Sequence, residues 1–203
     1  MIKIQRIIMV AMAVHLLFFS ASCAPTTKLT RVWKDDTYKG GFLRSIMVVD
    51  LSKNTLRGKM LEDAFVKQFK RKGVRATASG AQVSSNTALD IDTIRAEAQR
   101  LQMEAIFVTR FISVNDKTVF LHPSIPPPPG EMSFASYYSS AQYSGRDEEE
   151  TDVGMKSNLY ETSTEKLIWS VSSESIDANT VDELVESLSK VVIKNLRQDK
   201  LIQ

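Results

Sequence analysis

Apolar positions along the chain either alternate or recur every three to four residues, and the blocks they form mark out a succession of short elements. "FLRSIMVVDLS" holds the β-branched run Ile46 to Leu51, the length of a buried strand. In "NTLRGKMLEDAFVKQFKRKG" the residues Leu56, Met60, Ala64, Phe65 and Phe69 step by three and four, which predicts a helix. Lys70, Arg71 and Lys72 crowd its last turn ahead of Gly73. Cations there offset the negative end of the helix dipole, and glycine readily takes the left-handed conformation that ends a helix. Gly58 weakens the first turn slightly.

Val74 to Ser79 reads as a second strand, "SGAQVSSNTALD" as a polar connector, and the stripe Ile91, Ile94, Ala98, Leu101 as a second helix starting near Asp90. "AIFVTRFISV" is a third strand that could run on to Leu121. From His122 to Glu150 the composition changes to four consecutive prolines, Pro126 to Pro129, then Ser, Tyr, Gly and the acidic run Asp147 to Glu150. This predicts a long loop, of the kind that is functional or disordered in a compact domain. The pattern resumes with alternating Val153, Met155, Ser157 and Leu159, then "EKLIWSVSSESI"; "TSTEK" between them predicts a hairpin and antiparallel neighbours.

The last element is a helix. Thr180 and Glu183 form a capping box, Asp182 and Glu183 fill the first turn, and Lys190, Lys194 and Arg197 the end. Val181, Leu184, Val185, Leu188, Val191, Val192 and Leu196 make its apolar stripe. The order β-α-β-α-β-β-β-α gives an α/β (α+β) class: one domain, a mixed sheet of about five strands, and three helices covering at least one face.

The first 22 residues fall outside that pattern. Lys3 and Arg6 precede an apolar stretch from Ile7 to Phe19, broken by His15, and Ser20, Ala21 and Ser22 are small. This is the layout of a secretory signal, and the apolar stretch is shorter than the roughly 20 residues of a membrane-spanning helix. The expected organisation is therefore a signal peptide over 1–22, a tether over 23–41 and the domain over 42–203. Trp33 in the tether is expected to dock on the domain edge.

Cys23 is the one cysteine. In an oxidising compartment an odd cysteine calls for an intermolecular partner or a modification. Ser20-Ala21-Ser22-Cys23 resembles a bacterial lipobox, whose cysteine sulfur carries diacylglycerol, although lipoboxes favour Leu where this chain has Ser20. A plain small-x-small cleavage and an uncleaved anchor are the alternatives; lipidation alone accounts for both the position and the solitude of Cys23. Each buried methylene contributes about 0.8 kcal/mol, so two or three palmitate-type chains would hold the protein on a bilayer as a tethered body. Ala24 in place of Asp implies, by resemblance to Gram-negative lipoproteins, the outer membrane.

Charge narrows the function further. The chain has 26 basic and 24 acidic residues, and removal of Lys3 and Arg6 with the signal leaves a mature protein near neutrality. Nucleic-acid binding usually needs a basic face, and none is visible in the sequence. His122 is the one histidine outside the signal, which excludes His/Cys metal clusters and leaves a catalytic triad only if it uses His122. Ser187 and Lys190 match a bare S-x-x-K spacing without its companion motifs, the acidic run lacks the ligand spacing of a calcium loop, and Gly40-Gly41 is too short to cradle phosphate. No cofactor and no catalytic residue are expected. Phe134, Tyr137, Tyr138 and Tyr143 within the loop resemble an adaptable binding surface, with rigid rings among Ser and Gly, and are the expected partner contacts; a tolerated insertion without a role is the alternative.

With "VWKDDTYKGG", "IMVVDLSKNTLRGKMLEDAFVKQFKRKGV", "MEAIFVTRF" and "NLYETSTEKLIWSVSSES" in this order, the chain resembles a family of uncharacterised Gram-negative lipoproteins. In element order it is also similar to the curli-secretion lipoprotein and to the N-terminal domain of the Tol-system propeller protein. The resemblance implies a fold and an address, and brings no catalytic residue. The expected function is a non-enzymatic, periplasm-facing lipoprotein that binds an envelope protein partner, through the long loop or by strand addition at an open sheet edge. On that reading, deletion of Pro126–Tyr143 would leave the thermal midpoint nearly unchanged. The runner-up is a carrier or sensor of a small or lipidic ligand in a cleft between helices and sheet.

Overall fold

The computed structural model describes residues 26–51, 55–81, 90–113, 133–143, 153–176 and 180–203. They form one six-stranded mixed sheet in the order β1-β6-β5-β4-β2-β3. The strands are β1 (Thr26–Lys34), β2 (Ser45–Asp50), β3 (Arg75–Ala78), β4 (Ala105–Ser113), β5 (Val153–Glu161) and β6 (Leu167–Ile176). The helices are α1 (Thr55–Arg71), α2 (Ile91–Arg100), α3 (Phe134–Tyr143) and α4 (Val181–Gln198), with a 3-10 turn over Ser79–Ala81. β2 is parallel to β3 and β4, and β4, β5, β6 and β1 are antiparallel in succession.

The topology places helices on both faces. From β2 the chain crosses through α1 to β3 on one side, then returns through α2 past β2 to β4 on the other. Right-handed crossovers taken in opposite directions put their helices on opposite faces. α1 and α4 accordingly cover one face, where Ile46, Val48, Phe65, Phe69, Phe107, Trp169, Leu188 and Val192 form the larger core. α2 and α3 cover part of the other, where Met47, Val49, Ile94, Ala98, Ile106, Val108, Phe134 and Tyr160 form the second. Ile168 is an extra residue in β6, where the register with β5 shifts, so Ile168 and Trp169 both join the larger core while Leu167 joins the second.

Local signals operate as the sequence predicts at several ends. Gly73 follows α1 with φ +74, and the amides of Gly73 and Val74 donate to the carbonyls of Lys70 and Phe69. The Asp90 side chain caps α2 by accepting from the Thr93 amide at 2.7 Å, and Thr180 caps α4 by accepting from Glu183. The "TSTEK" turn joins antiparallel β5 and β6.

Four expectations are corrected. The tether over 23–41 contains β1, which raises the sheet from about five strands to six. The loop over 122–150 contains α3, which raises the helices from three to four. The stripe of α1 is rotated: Leu56 is 70% exposed and Met60 half-buried, while Leu61, Glu62, Phe65, Gln68 and Phe69 are buried. Gly58 is buried in that first turn, where a Cβ would meet the Asp50 carboxylate and have to push it aside. In α4, Ser189 and Ile193 are buried and Val191 is half-buried. β4 is described as far as Ser113, and its expected run to Leu121 lies outside the described residues.

The two ends of the sheet differ. Thr26 of β1 pairs with Ile176 of β6, Val153 of β5 with Ser113 of β4, and β2 to β4 have their C-terminal residues at this same end. Tight turns close the opposite end, among them Asp35 to Tyr38, Leu101 to Glu104 and Glu161 to Lys166, and the C-terminal Leu201 bonds there to Leu43. Among the described residues no helix is long and apolar enough to cross a membrane.

Candidate functional site

β1 is the first candidate surface. Its sequence, TTKLTRVWK, mixes β-branched and aromatic residues with cations, a composition suited to a half-exposed strand. Leu29 packs against the larger core and Trp33 against the second, as expected for Trp33. Thr27 Oγ1 lies 2.9 Å from Ser175 Oγ and 2.6 Å from Ser187 Oγ, and Lys34 Nζ donates to the Asp199 carbonyl at 2.7 Å, so β1 is fastened to both β6 and α4. Its other edge ends the sheet and pairs with no strand among the described residues. Lys28, Arg31 and Lys34 and the register shift between Leu29 and Arg31 are the devices that guard such an edge from indiscriminate pairing. Val32 is 46% exposed, an apolar side chain in reach of an incoming strand.

At the opposite end of the sheet lies an open cleft of about 480 Å³ lined by Tyr38, Phe42, Gln102, Glu104, Glu161 and Thr162 among others. Burial, then the carboxylates of Glu161 and Glu104, raise the Tyr38 hydroxyl above its ordinary value. Glu104 accepts the Arg44 amide at 2.5 Å. Phe42, 47% exposed, gives the cleft an apolar rim beside two carboxylates.

Glu62 is the most enclosed carboxylate of the described residues. It accepts the Asp50 amide at 2.9 Å, the Ser79 hydroxyl at 2.7 Å and the Gly80 amide at 3.2 Å. It thereby ties α1 to the ends of β2 and β3. Burial raises its pKa, and the three donors oppose the rise without cancelling it. Among the described residues no three His, Cys, Asp or Glu side chains are gathered to hold a metal ion.

The expected site residues do not form one site. Phe134, Tyr137 and Tyr138 are buried on α3 against the sheet, with ring centroids of Phe134 and Tyr160 5.6 Å apart and of Tyr137 and Tyr160 6.3 Å apart. These three rings fill a core layer, which corrects their reading as a free contact surface. Tyr143 ends the same helix. Cys23, His122, Pro126 to Pro129 and Asp147 to Glu150 lie outside the described residues. Ser187 bonds to Thr27 and Lys190 pairs with Glu186 at 2.9 Å, so the S-x-x-K spacing serves helix packing and surface charge. Sequence reasoning missed Lys156 and Arg110, which sit opposite each other on β5 and β4. The alternation through Val153 to Leu159 placed Lys156 on the polar face, and nothing local revealed that α3 lies over it.

No protein-family model and no curated protein matches the chain. Among solved structures it is similar to the PelC dodecamer of Paraburkholderia phytofirmans in two crystal forms. One has TM-score 0.47 and 12% identity over 83% of this chain and 96% of that one. The other has TM-score 0.46 and 11% identity over 88% and 100%. It is also similar to the lipoprotein GNA1162 from Neisseria meningitidis, with TM-score 0.40 and 14% identity over 76% and 98%. At these values the likeness carries no correspondence of residues or function.

Proposed function

We propose that this chain is a non-enzymatic envelope lipoprotein, anchored through lipid on Cys23 and facing the periplasm from the outer membrane, that binds a protein partner by strand addition along β1. The observation that carries the reading is the position of the solitary cysteine three residues before β1, whose outer edge pairs with no strand among the described residues. Three residues span at most about 10 Å, whereas the 18 residues from Cys23 to Gly41 would reach about 60 Å as a free tether. On this reading the lipid holds the edge of β1 next to the membrane surface, and the cleft at the far end of the sheet faces away from it. An incoming strand would gain main-chain hydrogen bonds from β1, and Val32 would supply one apolar contact.

A photoreactive amino acid at Val32, in cells, tests the partner. Capture from Val32 but not from Leu56, which is exposed on α1, is expected; equal or absent capture would overturn strand addition. Intact mass of the mature protein tests the anchor: a free thiol at Cys23, or a start beyond it, would remove the lipidation on which the address rests. The 480 Å³ cleft favours a second reading, a carrier of a small ligand. Native mass spectrometry showing a co-purified molecule that is lost in Phe42→Ala would favour it.

A further inference from the structure

The cleft at the turn-closed end of the sheet has a lining of one charge sign. Among the described residues that line its 480 Å³, Glu104 and Glu161 are the charged ones, and none is Lys, Arg or His. Glu104 immediately precedes β4 and Glu161 ends β5; the Thr162 amide donates to the Glu104 carbonyl at 3.0 Å, so the two acids sit at the ends of neighbouring strands. Among the described residues neither forms an ion pair. Glu104 accepts the Arg44 main-chain amide and Glu161 the Thr164 hydroxyl at 2.6 Å, neutral donors that fix the carboxylates and leave their charge in place.

Cations of the flanking turns engage other groups. Arg75 donates to the carbonyls of Leu101 and Gln102, both at 2.9 Å, and Lys39 to the Asp36 carbonyl at 3.5 Å. The Thr37 hydroxyl first, then Lys166 and Lys39 among others, hold the Asp35 carboxyl below its ordinary value. Burial first, then Glu161 and Glu104, raise the Tyr38 hydroxyl, which puts both acidic charges within reach of that ring. Tyr38 and the half-exposed Phe42 supply two aromatic walls, and Leu43 and Met103 supply buried hydrocarbon. Gly40 lies against the tip of the Tyr38 ring, where a Cβ would collide with the phenol, so a glycine there lets the chain close over it.

We infer, on the reading that makes this cleft a carrier site, that it takes a small soluble organic cation: an ammonium head between Glu104 and Glu161, with its carbon substituents against Tyr38 and Phe42. Aromatic faces attract cations through the ring quadrupole, and carboxylates complement the charge. A metal ion would draw on oxygen ligands alone and leave the rings and Met103 without a role, whereas an alkylated ammonium uses both kinds of wall. The volume suits a small molecule. An anionic phosphodiester next to the ammonium, as in a lipid headgroup, would meet the repulsion of two carboxylates.

Isothermal titration of the purified protein tests this with choline, with the neutral isostere that has a tert-butyl group in place of the trimethylammonium, and with glycerophosphocholine, all in a fixed excess of sodium chloride. Choline is expected to bind about tenfold more tightly than either of the others. Glu161→Gln is expected to weaken choline about fivefold, and the double variant with Glu104→Gln about twentyfold. Glutamine keeps an acceptor for the Thr164 hydroxyl and the Arg44 amide, so both variants should fold, and Phe42→Ala, at a position 47% exposed, weakens choline without burdening the fold. Glu186→Gln, on the exposed side of α4, controls for net charge and is expected to leave the affinity unchanged. Equal affinity for choline and its neutral isostere, or unchanged choline affinity in the double variant, would overturn the cationic ligand while leaving a small-ligand cleft in place. Tighter binding of glycerophosphocholine would overturn the free cation in favour of a headgroup. No binding of any of the three would overturn the cation and the carrier reading together.

Discussion

Replacing Phe134 by alanine asks whether α3 is part of the core or an ornament on it. The ring is fully buried, with its centroid 6.0 Å from that of Tyr138 and 5.6 Å from that of Tyr160, and it packs in the cluster that covers Met47, Val49, Ile106 and Val108. Truncating a buried phenylalanine removes its transfer free energy and leaves a cavity, a loss of about 3–5 kcal/mol. For a domain of this size each kcal/mol moves the melting temperature by about 2–4 °C, so a fall of about 6–20 °C is expected. Circular dichroism melts of wild type and Phe134→Ala measure it. Leu56→Ala, at a position 70% exposed, serves as the control and is expected to stay within about 0.5 kcal/mol of wild type. A Phe134→Ala melt within about 2 °C of wild type would refute the docking of α3 and restore the dispensable loop. By the same reasoning, deletion of Pro126–Tyr143 removes Phe134, Tyr137 and Tyr138 together and is expected to lower the midpoint steeply.

Glu62 gives a pH dependence with a definite sign. Its folded pKa is raised above the ordinary 4.5, so the folded state binds the proton more tightly and stability falls as pH rises from about 4.5 through the raised value. Urea midpoints measured across that interval should fall more steeply for wild type than for Glu62→Gln, and parallel profiles would count against a raised pKa. Thr180→Ala, which removes the cap accepting from the Glu183 amide at 3.2 Å, is expected to cost about 1 kcal/mol with the urea m-value unchanged. Trp169→Phe deletes the 2.8 Å hydrogen bond from the indole Nε1 to Asp199 Oδ2 at the end of α4. A loss of about 1–3 kcal/mol is expected by chemical denaturation, and a neutral result would show that solvent replaces the tryptophan as the partner of Asp199.

Elements whose signals are local were legible in the sequence. The run Ile46 to Leu51, the cap at Thr180, the stop at Gly73 and the hairpin at "TSTEK" each depend on residues within one or two turns of each other, and the structure places all of them as expected. The stripe Phe134, Tyr137, Tyr138 also has helical spacing, but it stands amid serines behind a proline run. Composition there outweighed periodicity. β1 went unseen for a related reason: an edge strand needs only alternate contacts on each face, so TTKLTRVWK shows no continuous apolar run.

What only the tertiary structure decided is which residues from distant segments share a face. Strand order and register set Arg31, Lys156 and Arg110 in one row, although 125 positions of chain separate Arg31 from Lys156. The same strand order puts the strand that follows Cys23 at the edge of the sheet among the described residues. The sequence by itself determined the α/β class, the order of most elements and a solitary cysteine behind a signal-like segment, because propensity, capping and periodicity act within a few residues. Burial, charge proximity and the exposure of an edge are set by pairings across the whole chain, and those exist only once the sheet has formed.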